Sequence, residues 1–229
     1  MKKKILVVDI GGTNVKLLIS RDSKRKFPSG KTLSPADLVA QTKEVAEDWE
    51  YDAVAIGFPS VVKNDRIVHD PKHLAAGWAG FDFKKSFGKP TRIINDAAMQ
   101  ALGSYHGDRM LFLGLGTGLG STLIWGRNVM PLELGDLPYP GVTRIEDVLG
   151  KRGLERLGRR AWRREVHDTV AKLKVAFIAD YVVLGGGNAK NMDTLPEGVE
   201  LGHNRNAYLG GVRLWETDAK TRRAKWQFV

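Results

Sequence analysis

Residues 5–10 form a nearly unbroken β-branched and leucine run, which ends in Asp9-Ile10-Gly11-Gly12-Thr13-Asn14-Val15-Lys16. A run of this composition is a strand buried on both faces. A carboxylate therefore stands where the strand must turn, followed at once by two glycines and a threonine. Glycines let the backbone come close to a ligand and point successive N–H groups into an anion-binding concavity. The Thr13 hydroxyl adds a donor and Lys16 a positive charge. Asp9 fits beside a phosphate only where a cation bridges the two, so the stretch implies Mg²⁺. Taken alone, an ordinary hairpin turn explains these residues equally well. The deciding weight comes from partner motifs further along.

With 229 residues the chain can build one large domain or two small lobes. No apolar run approaches the ~18 residues of a membrane span. The lysines at 2–4 resemble a signal-peptide n-region, but the apolar run stops at Asp9 and no small-residue cleavage site follows. The expected location is the cytoplasm. The chain has no cysteine, which excludes disulfides and thiolate metal sites. Its net charge of +10 raises nucleic acid, an anionic surface or a polyanionic substrate as partners. The basic residues gather at Lys24-Arg25-Lys26 and along 151–164, where a solvated helix face is the simpler account.

In chain order, 15–20 reads as a second strand, making Gly11-Gly12 a hairpin, and 22–30 as a polar, basic loop. Gly30-Lys31-Thr32 imitates the end of a P-loop, but Arg25 stands where that signature needs glycine and no strand leads in. Ser34 and Pro35 start a helix with apolar spacing to Trp49. A buried strand at 52–58 ends in Gly57-Phe58-Pro59-Ser60, a sharp turn at the carboxyl end where α/β sheets place ligands. Residues 61–70 read as a hairpin around Asn64-Asp65. His69 and His73 are four apart, but Pro71 argues against a metal-binding helix, so they are expected to be unligated. The loop 74–83, with Trp78, suits the lining of a polar pocket. A strand at 91–94 leads to Asn95-Asp96 and a helix. There the aspartate is an N-cap or, alternatively, a general base reaching into a cleft.

The strand 110–115 runs into Gly114-Leu115-Gly116-Thr117-Gly118-Leu119-Gly120, and 121–125 resumes as a strand. The spacing is not the dinucleotide fingerprint, because Leu119 stands where its last glycine belongs. A threonine-bearing glycine hairpin thus occurs twice, suggesting two related lobes that face one phosphate chain. Residues 131–136 form a loop with two carboxylates, 145–157 and 160–177 are helical, and 181–184 is a strand ending in Gly185-Gly186-Gly187-Asn188. Residues 200–203 make a short strand or turn, 206–214 a last helix, and the basic tail from Glu216 is expected to fray.

Together these motifs resemble the actin–hexokinase–heat-shock chaperone superfamily and, within it, the ROK (repressor, open reading frame, kinase) sugar kinases, particularly glucokinases of the polyphosphate-using type. The resemblance covers roughly residues 4–215. It implies a two-lobed ribonuclease H-like (actin-like ATPase) α/β fold with a cleft between duplicated lobes, at 1–108 and 109–229, the last helix packing back on the first lobe. By the same resemblance Asp96 is the base that accepts a proton from a sugar hydroxyl, while Asn95, Glu133, Gly57 and Pro59 hold the sugar. The donor phosphates fall to Asp9, Gly11, Gly12, Thr13, Lys16, Gly116, Thr117 and Gly118, with Mg²⁺ on Asp9 directly or through water. Gly186 and Gly187 take the adenine end. The implied reaction is phosphoryl transfer from ATP or polyphosphate to a hexose, glucose first, with other hexoses or amino sugars as alternatives.

Two departures stand out. Asp136 follows Glu133-Leu134-Gly135 where the family places a zinc-ligand histidine, and no cysteine follows, so no zinc site is expected and the loop must be held by other means. The chain is also short for the family, and with no helix-turn-helix domain before Met1 a repressor is not expected. Rival readings are a catalytically inactive sugar sensor, an acyl-phosphate kinase or chaperone-like ATPase, and, on charge alone, a nucleic-acid binder. The expected partners are a hexose and a phosphoryl donor, with no nucleic acid or membrane; homodimerisation is compatible with the sequence.

Overall fold

A computed structural model describes residues 3–71, 74–203 and 205–229. The chain packs as two compact units, Met1–Gly103 with Arg205–Lys225 and Ser104–Asn204 with Trp226–Val229. The last helix lies with the first unit and the final strand with the second.

The first unit runs β1 (Ile5–Ile10), β2 (Asn14–Leu18), β3 (Lys24–Pro28), α1 (Pro35–Val45), β4 (Ala53–Phe58), β5 (Val62–Lys63), β6 (Arg66–Ile67), α2 (Phe83–Phe87), β7 (Thr91–Asn95) and α3 (Asp96–Ser104). Its sheet has the order β3-β2-β1-β4-β7. β1 pairs antiparallel with β2 and parallel with β4, and β4 pairs parallel with β7. Every residue of β1 and β4 is buried, as their continuous apolar runs require. At roughly 1.5–3 kcal/mol for each large side chain taken out of water, these two strands anchor the unit. α1 starts in a capping box, the Ser34 hydroxyl accepting from the Asp37 N–H and the Asp37 carboxylate from the Ser34 N–H. The helix Asn206–Arg213 joins this unit, and Gly210 lies so close to α3 that a Cβ would collide with the Met99 carbonyl.

The second unit runs β8 (Arg109–Leu115), β9 (Leu119–Trp125), β10 (Asn128–Leu132), a 3-10 turn (Leu134–Asp136), α4 (Glu146–Leu149), α5 (Lys151–Ala176), β11 (Tyr181–Gly185), a second 3-10 turn (Ala189–Asn191), β12 (Val199–Leu201) and β13 (Gln227–Phe228). Its sheet has the order β12-β11-β8-β9-β10-β13. Without β13, this is the first sheet again: an antiparallel meander of three strands, then two parallel strands beside the first of them. Each glycine hairpin joins the first two strands of its own sheet. Each unit has a separate apolar core, around Leu6, Phe58 and Trp78 in one and around Leu113, Trp162 and Val182 in the other.

Several sequence expectations are corrected. The basic stretch within 22–30 is an edge strand, with Phe27 buried and Lys24 and Lys26 exposed, because an edge strand carries charge on its open face. Trp78 lines no polar pocket: it is fully buried between Phe58 and Phe83, with ring centroids at 5.1 and 6.1 Å. The helix expected over 145–157 is interrupted at Gly150, whose extended backbone presses against the Thr117 carbonyl. Gly158, in the left-handed region at φ 71°, breaks the next helix where two helices were expected. The tail does not fray: β13 pairs with β10, and Trp226 packs edge-on against Tyr105 at 5.7 Å. The His69–His73 expectation falls partly outside the described residues, at His73.

Candidate active site

In the first unit the antiparallel register places Asp9 opposite Lys16, and the Lys16 ammonium reaches the Asp9 carboxylate at 3.1 Å. Asp9 is 3% exposed, and burying a carboxylate without a partner is costly, so this pair is what lets it stand at the strand end. Between them the hairpin is closed by Gly11 N–H to the Asn14 carbonyl at 3.0 Å. Ser29 braces it from outside, its hydroxyl donating to the Gly11 carbonyl (2.6 Å) and its N–H to the Thr13 carbonyl (3.1 Å). Gly12 and Thr13 remain exposed at the tip. The donor set fits magnesium, which keeps several waters and takes one or two carboxylates plus substrate phosphates. Among the described residues no cluster of three or more His, Cys, Asp or Glu offers a fuller cage.

Asn95 and Asp96 stand at the carboxyl end of β7, where α3 begins. Asn95 does the capping, its side-chain oxygen accepting from Ala98 N–H at 3.0 Å, while its amide points toward the Ser60 carbonyl at 3.5 Å. Asp96 lies within the first turn, one carboxylate oxygen accepting from the Ala97 N–H at 2.8 Å. Gly57 on the neighbouring strand is needed for this packing: a Cβ there would sit 3.1 Å from the Met99 sulfur and 3.5 Å from the Asp96 Cα. Gly57, Pro59, Asn95 and Asp96 are thus brought together at the ends of two adjacent parallel strands. Beyond the turn, Asp70 accepts from the N–H groups of Gly77, Trp78 and Ala79 at 2.7–3.0 Å. Those bonds, that of Gly77 foremost, hold its carboxyl below the usual carboxylate range.

In the second unit the two glycine motifs, Gly114–Gly120 and Gly185–Gly187, are joined. Gly186, at φ 80°, lies directly on the end of β8, where a Cβ would meet the Leu115 carbonyl carbon at 2.6 Å. Asn188 then donates from its backbone to the Leu115 carbonyl and from its side chain to the Gly116 carbonyl, both at 2.9 Å. Gly186, Gly187 and Thr117 are exposed along this seam. Behind the hairpin, Lys151 N–H donates to the Gly116 carbonyl at 3.0 Å. Gly118 packs so tightly that a Cβ would strike the Glu146 carboxylate.

Glu133 precedes the 3-10 turn at the end of β10. Its backbone is fixed on both sides by Ser121, whose hydroxyl donates to the Leu132 carbonyl (2.8 Å) and accepts from the Leu134 N–H (3.1 Å). The loop that carries Asp136 is tied by an ionic node. Arg144 reaches Asp136 at 3.0 Å, Glu146 at 2.8 Å and Asp147 at 3.6 Å, and the hydrogen bond to Asp136 is the main cause of its raised pKa. Tyr139 adds a second tie, donating to Glu165 at 2.6 Å and lying 3.2 Å from the Thr169 hydroxyl. Burial, reinforced by the Glu165 bond, raises the Tyr139 pKa. Sequence reasoning missed Asp70, Ser121, Arg144 and Glu146. Their one local signal is the charge alternation Arg144-Ile145-Glu146-Asp147, which reads as an ordinary helix start.

Comparisons with known proteins agree with this architecture. A glucokinase from Pyrobaculum calidifontis is 27% identical over 144 residues, 58% of this chain and 49% of that protein, so the match spans about half of the relative's length. The solved structure of an inorganic polyphosphate/ATP-glucomannokinase from Arthrobacter sp. strain KM superposes with a TM-score of 0.76 at 21% identity, covering 91% of this chain and 96% of that one. That of a ROK family glucokinase from Streptomyces griseus, in complex with glucose and AMPPNP, gives 0.71 at 18% identity, with 91% and 97% covered. These structures share the two-lobed actin-like ATPase fold. The ROK family profile matches residues 5–131, more than half of the chain. The chain belongs to the ROK family.

Proposed function

We propose that the protein is a sugar kinase, transferring a phosphoryl group from ATP or polyphosphate to a hexose hydroxyl, with glucose the first candidate. The observation that carries this reading is the grouping of Asn95, Asp96 and the Gly57–Pro59 turn at the ends of two adjacent parallel strands. Asn95 caps α3 through the Ala98 N–H, and Asp96, whose carboxylate accepts from the Ala97 N–H, stands beside it at the carboxyl end of β7, next to the Gly57–Pro59 turn, where a general base would act. Asp96 would take the proton from the attacking hydroxyl. Asn95 and Glu133, with the Gly57–Pro59 turn, would fix neighbouring hydroxyls through directional bonds that discriminate between sugars. Gly11, Gly12, Thr13, Lys16, Gly116, Thr117 and Gly118 would hold donor phosphates on backbone N–H groups and hydroxyls. Gly186 and Gly187 would receive the adenine end of ATP. Magnesium, held by Asp9 directly or through water, would neutralise phosphate charge when bound. Phosphoryl transfer asks mainly for such positioning and charge neutralisation.

The basic helix α5 supports polyphosphate as a donor, since a long polyanion suits a cationic track, while the Gly186–Asn188 seam supports ATP. The test is product formation from glucose with each donor in turn, with and without a chelator. Magnesium-dependent sugar phosphate is the expected product, lost with EDTA and restored by excess Mg²⁺. Turnover undiminished by EDTA would overturn the assignment of Asp9.

A further inference from the structure

We infer that Arg144 is a positioning residue for the reaction: its guanidinium locks the Glu133–Asp136 turn to Glu146, and so to the second glycine hairpin. The inference rests on the sugar-kinase reading for the role of Glu133, but its structural half does not. One guanidinium meets three carboxylates, with Nη1 on Asp136 at 3.0 Å, Nη2 on Glu146 at 2.8 Å and Nε 3.6 Å from Asp147. The pairing is selective in space. Asp136 belongs to the turn that follows Glu133, its N–H donating to the Glu133 carbonyl at 3.1 Å. Glu146 lies against both elements: its carboxylate abuts Gly118, and its Cβ stands 3.4 Å from where a Gly135 Cβ would be. The strap is completed by Ile145 N–H to the Leu137 carbonyl at 2.9 Å.

The guanidinium has a second effect. Without it, Asp136, Glu146 and Asp147 would be mutually repelling anions, and Glu146 would lie beside a hairpin whose task is to receive phosphate. A planar five-donor fork can satisfy carboxylates in several directions at once, and an ammonium cannot. Arg144 therefore sets the position of Glu133 and removes negative potential from Gly116–Gly118 without touching either substrate.

The experiment compares the intact chain with Arg144→Ala, Arg144→Lys and Asp136→Asn. Two readouts are followed: steady-state kinetics with glucose, and amide hydrogen exchange of the unliganded proteins. The expected result for Arg144→Ala is a KM for sugar raised about tenfold with a much smaller change in kcat, the signature of a misplaced binding group. Arg144→Lys should fall between, and Asp136→Asn, which loosens only the turn, should raise the sugar KM with less effect on that of the donor. Exchange should quicken at Leu134, Asp136 and Leu137 while β8 and β9 stay protected. Unchanged exchange at the turn in Arg144→Ala would overturn the inference. So would exchange that quickens equally throughout β8–β11, or a loss in kcat alone. If the unaltered chain phosphorylates no sugar, the kinase reading fails, and the exchange comparison still decides whether Arg144 holds the turn.

Discussion

Asn95 and Asp96 are adjacent and chemically similar, yet their side chains meet different amides, Ala98 N–H for Asn95 and Ala97 N–H for Asp96. Asn95 accepts from the Ala98 N–H, so Asn95→Ala should cost about 1 kcal/mol of stability, the usual loss for a missing cap. In a chain of this size that lowers Tm by about 2–4 °C, measurable by calorimetry. Asp96→Asn should leave Tm close to that of the parent and reduce kcat by about 10²–10⁴-fold, the usual worth of a positioned base, while glucose still binds by calorimetric titration. Asp70 permits a pH prediction. Its carboxyl is held below the ordinary range by the Gly77, Ala79 and Trp78 N–H groups. A depressed folded pKa contributes stability that is present above the unfolded value, about 4, and lost as pH falls through the folded one. The amides of Gly77–Ala79 should therefore exchange slowly at neutral pH and lose that protection below about pH 4, and Asp70→Asn should exchange quickly at both. Protection that ignores both pH and the substitution would show that the loop is held by the Phe58–Trp78–Phe83 packing instead.

At the scale of elements, what was legible in the sequence is what local chemistry decides. The buried strands announce themselves as apolar runs, the hairpins as glycine pairs between them, and the Ser34–Pro35 helix start as a cap with its proline. β3 was illegible because an edge strand shows charge to solvent, and only Phe27 marks its inner face. β13 was illegible because its pairing with β10 links residues far apart in the chain. The same limit hid Arg144, which works through carboxylates on both sides of it in the chain, and Asp70, which reaches amides seven to nine residues on. Trp78 was misplaced for the opposite reason: a glycine-rich, aromatic loop looks like a pocket lining, and whether its ring turns inward depends on Phe58 from another strand. The contact of the last helix with α3 gives a direct test. Gly210→Ala forces a methyl group against the Met99 carbonyl and should cost about 1–3 kcal/mol, with a matching fall in denaturant midpoint. A neutral result would mean that the helix can slide on α3.

For the whole molecule, the repeated sheet order explains why glycine hairpins occur twice: each follows the first strand of its own sheet, and each strand end brings its motif with it. Family membership rests on the sequence profile, and the fold is shared with solved structures of related chains. No helix among the described residues is long and apolar enough to cross a membrane. The most direct measurement is formation of sugar phosphate from glucose and Mg²⁺ by the unaltered chain and by Asp96→Asn, with ATP and polyphosphate offered separately and other hexoses beside them. The expected result is product from at least one donor with the parent, and none with Asp96→Asn although the sugar still binds. Absence of product from the parent with both donors on every sugar, or equal turnover by Asp96→Asn, would contradict the account and leave a ROK protein that binds sugar without phosphorylating it, or one that uses another base.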